Sequence, residues 1–419
     1  MRRVGGLLWA ASACALMTAG ACNSDQPPVL GSSSGPQRGT MDAEAPDATS
    51  QGDDASPRPD ASTPTPDGGF RAGPHSPTII PNLGGPVIAS PLIVTITFAN
   101  DPERAAEEQV NAYLATSTWL ATVGKEYGVG NGSNVNLELT QAAPATLDMA
   151  QVPSFIAPLI TSGAAPDPVA DAGANAQPAA VYMLFVPSGT TVTDQGTDIC
   201  TISSGAYHAE STLTVNGHPF AYALVDSCSS TSPLDGIVQN ASHELIESCT
   251  DPYRSTAPAY TVTDTTLPAS FGGGEVADLC SYLAPQWSEG GYTSIQRVYS
   301  NAGAKSGGPL CLPAAEPWFA ADVARKPYVT VAAGQSTTFQ LSGWSSAPVA
   351  QWYVSASSLL VPNAATFTFG SQWMQNGTSN SLQVTVSPSV PSGTYLDIEV
   401  FAAHSQTDYT TELAGVYVP

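Results

Sequence analysis

The stretch that most constrains this chain is Ser242-His243-Glu244-Leu245-Ile246-Glu247-Ser248-Cys249-Thr250-Asp251-Pro252. Val238, Ala241, Leu245 and Cys249 recur at helical spacing, so one side of this segment is a core face. Asn240, His243, Glu247 and Asp251 fall on another side. The helix starts near Leu234-Asp235 and ends where Pro252 biases Asp251 out of helical geometry. Residues i and i+4 point the same way along a helix. His243 and Glu247 can therefore face one ion, with Glu244 beside them.

This is the geometry of the zinc-protease His-Glu-x-x-His helix, with a carboxylate in place of the second imidazole. His243 and Glu247 supply two metal ligands from one helix. Glu275 and Asp278, three apart and downstream, complete or orient the shell. Glu244 is then the general base that takes a proton from an activated water. One imidazole with two or three carboxylates is a hard, anionic donor set. It holds Zn²⁺ with a less acidic water, or prefers Ca²⁺ or Mn²⁺. His208 is an additional candidate, as a fourth ligand or a substrate contact. The competing reading is a structural hydrogen-bonded network in which Glu275 or Asp278 orients the His243 imidazole.

The chain opens Met1-Arg2-Arg3, runs apolar from Val4 to Met17, and reaches Cys22 through small residues. Residues 1–22 read as a lipoprotein-type signal, with Cys22 as the lipidation site. Residues 23–76 are rich in Pro, Ser, Asp, Gly and Thr, with almost no large apolar side chains. Such a segment cannot offset its ordering entropy and reads as a disordered tether. Acidic residues outnumber Lys and Arg 35 to 12. That balance argues against nucleic acid as a partner and leaves the membrane only as the anchor of a lipid chain. An exported chain with spaced cysteines implies disulfides. The expected pairs are Cys200 with Cys228 and Cys280 with Cys311, leaving Cys249 as a buried free thiol. No Cys-x-x-Cys pair exists to hold zinc.

Residues 77–316 alternate strands and helices. Pro91–Phe98, Val181–Val186 and Phe220–Val225 read as buried strands, the last one following an Asn216-Gly217 turn. A helix capped by Asp101 is expected to run to about Val123. These features predict an α/β (α+β) domain. From Pro317 to Pro419 short alternating segments recur between turn signals, and predict an all-β immunoglobulin-like sandwich.

Three further segments accompany the motif helix. They are Gly205-Ala206-Tyr207-His208, Tyr222-Ala223-Leu224-Val225-Asp226-Ser227-Cys228 and Glu275-Val276-Ala277-Asp278-Leu279-Cys280. In this order they resemble the EXORDIUM or phosphate-induced protein family of plant cell-wall proteins and its bacterial relatives, over residues 90–315. Two departures are Ala206, which interrupts the usual Gly-Tyr-His, and Cys249, where the family carries a small residue. The resemblance implies an extracellular protein and supports the domain boundary; it supplies no substrate. Taken with the motif, the chain is expected to be an exported, lipid-anchored monomer carrying a zincin-like domain, and a zinc-dependent peptidase. The alternative is a non-catalytic surface protein that uses the same pocket to bind peptide or cell-surface polysaccharide.

Overall fold

Leu92–Thr97, a run of apolar and β-branched residues, forms β1 in a sheet covered on both faces. A computed structural model describes residues 71–419, except 74, 170–176, 202–204, 227, 229–232, 268–273, 282, 315–316, 325–327, 360, 362 and 406. The expected signal, the Cys22 lipidation site and tether residues 23–70 lie outside the described residues. No helix among the described residues is long and apolar enough to cross a membrane.

After β1 come α1 (Arg104–Thr116), α2 (Thr118–Val123) and β2 (Ser133–Glu138). Next are α3 (Val152–Thr161), β3 (Ala180–Val186), β4 (Ala206–Glu210), β5 (Ala221–Asp226) and α4 (Pro233–Thr250). The strands lie in the order β2-β1-β3-β5-β4. All neighbours are parallel except the edge strand β4, which runs antiparallel to β5. Val110 and Leu114 of α1, with Val238 and Leu245 of α4, pack on one face of the sheet. Ile156 and Ile160 of α3 pack on the other. The single long helix expected from Asp101 to Val123 is in fact two. Ser117 adopts extended geometry, and its hydroxyl accepts the Leu120 N–H, so a new N-cap interrupts the helix. Asp101 does not cap α1; its Oδ1 accepts the Glu103 N–H at 2.9 Å in the turn before the helix.

The hairpin strands β6 (Trp287–Glu289) and β7 (Tyr292–Ile295) then lead toward the second unit. This unit contains β8 (Phe319–Val323), β9 (Val329–Thr330), β10 (Ser336–Ser345), β11 (Trp352–Ser358) and β12 (Ala365–Phe369). It ends with β13 (Trp373–Met374), β14 (Ser379–Val386), β15 (Thr394–Ser405) and β16 (Asp408–Val418). They form two sheets, β8-β10-β14-β12 and β9-β16-β15-β11-β13. Leu341 and Leu382 of the first pack against Val354 and Ile398 of the second, so the expected β-rich C-terminal unit is present.

The first described residues differ from the tether reading. Gly73 donates to Asn376 Oδ1 at 2.7 Å, and a Cβ at Gly73 would meet the Gly343 carbonyl oxygen at 2.3 Å. His75 stacks on Trp344 with ring centroids 4.2 Å apart. Farther along, Ile80 N–H donates to Asn301 Oδ1 and Ile88 N–H to the Cys249 carbonyl, both at 2.8 Å. Residues 71–73 and 75–89 thus make contacts with both units, as a strap. Composition placed 71–76 in the tether because the segment is short of apolar residues. Glycine at a close approach and one imidazole hold it instead.

On the outward face of β15, Glu399 is buried and accepts from Ser357 Oγ at 3.2 Å. Burial pushes its carboxyl up to about 7, against the pull of that hydrogen bond. A group whose pKa rises on folding contributes stability below its unfolded pKa. That contribution is lost as pH rises through the folded value. Glu399→Gln is expected to stabilise the chain at pH 8 by on the order of 3 kcal/mol relative to its effect at pH 4. Denaturant melts at the two pH values check this; equal shifts at both would contradict it.

Candidate metal centre

α4 lies across β5 and the edge strand β4. Its apolar side, Val238, Ala241, Leu245 and Cys249, is fully buried, as the spacing predicts. In β4, His208 pairs in register with Ala223, which packs on the α4 face of the sheet. Antiparallel pairing therefore aims the His208 side chain at the ionisable side of α4. A third element is supplied by the segment after residue 273, where Asp278–Cys280 forms a single 3₁₀ turn. The Cys280–Cys311 disulfide ties this turn down, and Cys200–Cys228 joins the segments flanking β4 and β5. Cys249 is free and buried.

Two carboxylates are oriented by backbone amides. Glu247 Oε1 accepts the N–H groups of Ala277 and Asp278 at 3.0 and 3.1 Å. Its Oε2 is thereby turned to within 3.2 Å of His243 Nε2 and 3.6 Å of His208 Nδ1. Asp278 Oδ2 accepts the Glu275 N–H at 2.8 Å, which leaves Oδ1 at 3.4 Å from His243 Nε2. Ligands at roughly 2.1 Å from one tetrahedral ion sit roughly 3.4 Å apart. Charge-assisted hydrogen bonds run shorter, at about 2.7–2.9 Å. His243, Glu247 and Asp278 thus form a group that can hold a metal ion, their ligand atoms all within 4.8 Å of one another. His208, Glu244 and Glu247 form a second such group sharing Glu247. Cys200, Asp226 and Cys228 also cluster, but their sulfurs are joined in the disulfide.

Burial separates the two groups. The His243 and Asp278 side chains are 13% and 14% exposed, so solvent reaches that cluster. His208, Glu244 and Glu275 are buried behind it. Glu275 takes a different place from Asp278. Its Oε2 lies 3.3 Å from His208 Nε2 and 3.4 Å from the Arg254 guanidinium, away from His243. Glu244 Oε2 faces His208 Nδ1 at 3.3 Å. Burial opposes a charged His208, but Glu275, Glu244 and Glu247 around it outweigh that and raise its pKa well above the usual value. Burial also pushes the Glu275 carboxyl up to about 7, against the pull of His208 and Arg254. Glu244, Glu247, Glu275 and Asp278 thus gather around the Arg254 guanidinium and the imidazoles of His208 and His243.

Sequence reasoning did not reach Arg254 or the amides of 277 and 278. One signal was available for the first: Arg254 is the only Lys or Arg between Lys125 and Arg297.

No family model and no curated protein matches the chain. Among solved structures, domains 4 and 5 of the S-layer protein SbsC align over 26% of this chain and 50% of that one, at 17% identity and a TM-score of 0.19. The S-layer protein rSbsC(31-844) aligns over 25% of this chain and 14% of that one, at 17% identity and 0.19. This chain therefore spans half or less of those S-layer chains. Catalytically inactive OgpA from Akkermansia muciniphila, in complex with an O-glycopeptide substrate, aligns over 81% of this chain and 98% of that one, at 8% identity and 0.21. At such scores these likenesses carry no argument.

Removing the guanidinium from beside Glu275 leaves a carboxylate buried with one partner fewer. Arg254→Met is expected to destabilise the chain by ~3 kcal/mol. Adding Glu275→Gln in the same chain should recover more than half of the loss. Urea denaturation of the single and double variants tests the coupling.

Proposed function

We propose that this chain is an exported metal-dependent hydrolase of the peptidase type, with His243, Glu247 and Asp278 as the metal ligands. The observation that carries the reading is the spacing of His243 Nε2, Glu247 Oε2 and Asp278 Oδ1, which matches the edges of a coordination polyhedron. An imidazole with two carboxylates suits Zn²⁺, with Ca²⁺ or Mn²⁺ as the harder alternatives. When bound, the ion would polarise a carbonyl group and lower the pKa of a water. The chain's own residues do the rest. The amides of Ala277 and Asp278 fix Glu247, and the Glu275 amide fixes Asp278. Glu244 is the proton acceptor: its carboxylate lies beside Glu247 and is held by His208 Nδ1 at 3.3 Å. Glu275, itself paired with Arg254, holds His208 from the far side.

On this reading the first unit is a zincin-like domain of the EXORDIUM type, carried on a tether from a lipid-modified Cys22. The second unit is an immunoglobulin-like sandwich. One observation favours the alternative of a binding protein for peptide or polysaccharide. Trp373 packs edge-on against Tyr353 and is 53% exposed on the sandwich.

Metal analysis of the purified chain separates the two. The hydrolase reading expects one Zn²⁺ per chain, lost in Glu247→Gln and Asp278→Asn. Glu244→Gln should keep the ion but lose peptide hydrolysis by ~10²-fold or more. Full activity in Glu244→Gln, or metal content unchanged in Glu247→Gln, would reject it.

A further inference from the structure

The first sheet has a topological switch point that the histidine cluster does not use. The chain leaves β1 through α1 and α2 to join β2 on one side, and returns through α3 to place β3 on the other. Open α/β sheets bind ligands in the crevice outside the carboxyl ends of two such strands. Here the turn after β1 carries Asp101 and Glu103, and Glu107 follows in the first turn of α1. The turn after β3 closes the crevice, with Ser188 Oγ donating to Glu103 Oε1 at 3.2 Å.

Several oxygens in this crevice are buried without an N–H or hydroxyl donor. Asp101 Oδ1 is held by the Glu103 N–H at 2.9 Å, while its buried Oδ2 has no N–H or hydroxyl donor. Glu103 Oε2 has none, and Glu107, 1% exposed, reaches only the Asp101 carboxyl. Two neutral side chains repeat the pattern independently of the acids. Thr97 and Asn111 are both fully buried, and Thr97 Oγ1 and Asn111 Oδ1 lack partners. Asn111 Nδ2 donates to Thr95 Oγ1 at 3.0 Å, which fixes α1 over β1. One helical turn back from Asn111 is Glu107, and two residues on from Thr95 is Thr97. Both steps are about 6 Å in the same direction, because α1 runs back along β1, so Glu107 lies over Thr97. The Asp101 and Glu107 carboxyl groups face each other at hydrogen-bonding range, and burial, then Asp101, push Glu107 up to about 9. The nearest base, Arg104, turns away to Glu108 and Glu138.

We infer that this crevice is a second cation site, separate from the histidine cluster, which takes a hard divalent ion such as Ca²⁺ on Asp101, Glu107 and Thr97, with Glu103 at the rim. Oxygen-only donors select Ca²⁺ over Zn²⁺. The ion pins the start of α1 to the carboxyl ends of β1 and β3.

The test is Ca²⁺ titration of the chelator-treated full chain, by calorimetry and thermal melting. One Ca²⁺ per chain is expected, with a dissociation constant on the order of 10⁻⁴ M and a raised melting temperature. Glu107→Gln, isosteric with the protonated acid, should weaken this binding at least ~10-fold. If that variant fails to fold, Asp101→Asn at the half-exposed rim gives the same reading. Glu247→Gln, which empties the histidine cluster, should leave Ca²⁺ binding intact. No Ca²⁺ uptake by the parent chain, or equal uptake by both crevice variants, would overturn the site. So would uptake that disappears in Glu247→Gln but persists in Glu107→Gln.

Discussion

The Glu247 carboxylate is the joint on which the site depends. One oxygen takes two backbone N–H groups from the 277–278 turn; the other faces two imidazoles from different elements. Three segments remote in sequence, β4, α4 and the 275–280 turn, are registered against each other by this one side chain. A fully buried carboxylate is costly unless its oxygens are satisfied. Here backbone amides satisfy Oε1, and the approach of two imidazoles to Oε2 brings the contributing elements together.

The surroundings explain how such a charge density is tolerated. The disulfides Cys200–Cys228 and Cys280–Cys311 fasten segments next to two of the three contributing elements. Asp251, past the end of α4, uses both oxygens to hold Ala259 N–H and Thr261 Oγ, and so fixes the chain that carries Arg254 toward Glu275. Apolar packing of α4 against β5 provides the rigid base. Charged groups in such a frame cannot relax apart, and this rigidity is what preorganised ligands need.

The two units are joined by more than their covalent link. The strap formed by residues 71–73 and 75–89 touches the sandwich at Trp344 and Asn376, and the first unit at Asn301 and Cys249. Trp318 and Trp344 of the second unit belong to the same apolar cluster as α1 and α4.

Local sequence determined the elements with strong periodicity. α4 was legible from Val238, Ala241, Leu245 and Cys249, and its stop from Asp251-Pro252, because helical spacing and proline sterics act over a few residues. The strands around 92–97, 180–186 and 221–226 and the short strands after 317 were legible for the same reason, as was the pairing of His243 with Glu247 on one helix face. What only the tertiary structure decided was the division of labour among the remaining site residues. Glu275 and Asp278 are three apart and equally acidic, yet one faces His208 and Arg254 and the other His243. His208 sits in a stretch of small residues, and antiparallel pairing of β4 with β5 is what buries it. The strap at 71–73 and 75–76, and the break at Ser117, follow the same rule: a hydrogen bond or a close backbone approach, made to a partner the local sequence does not contain, outweighs local propensity.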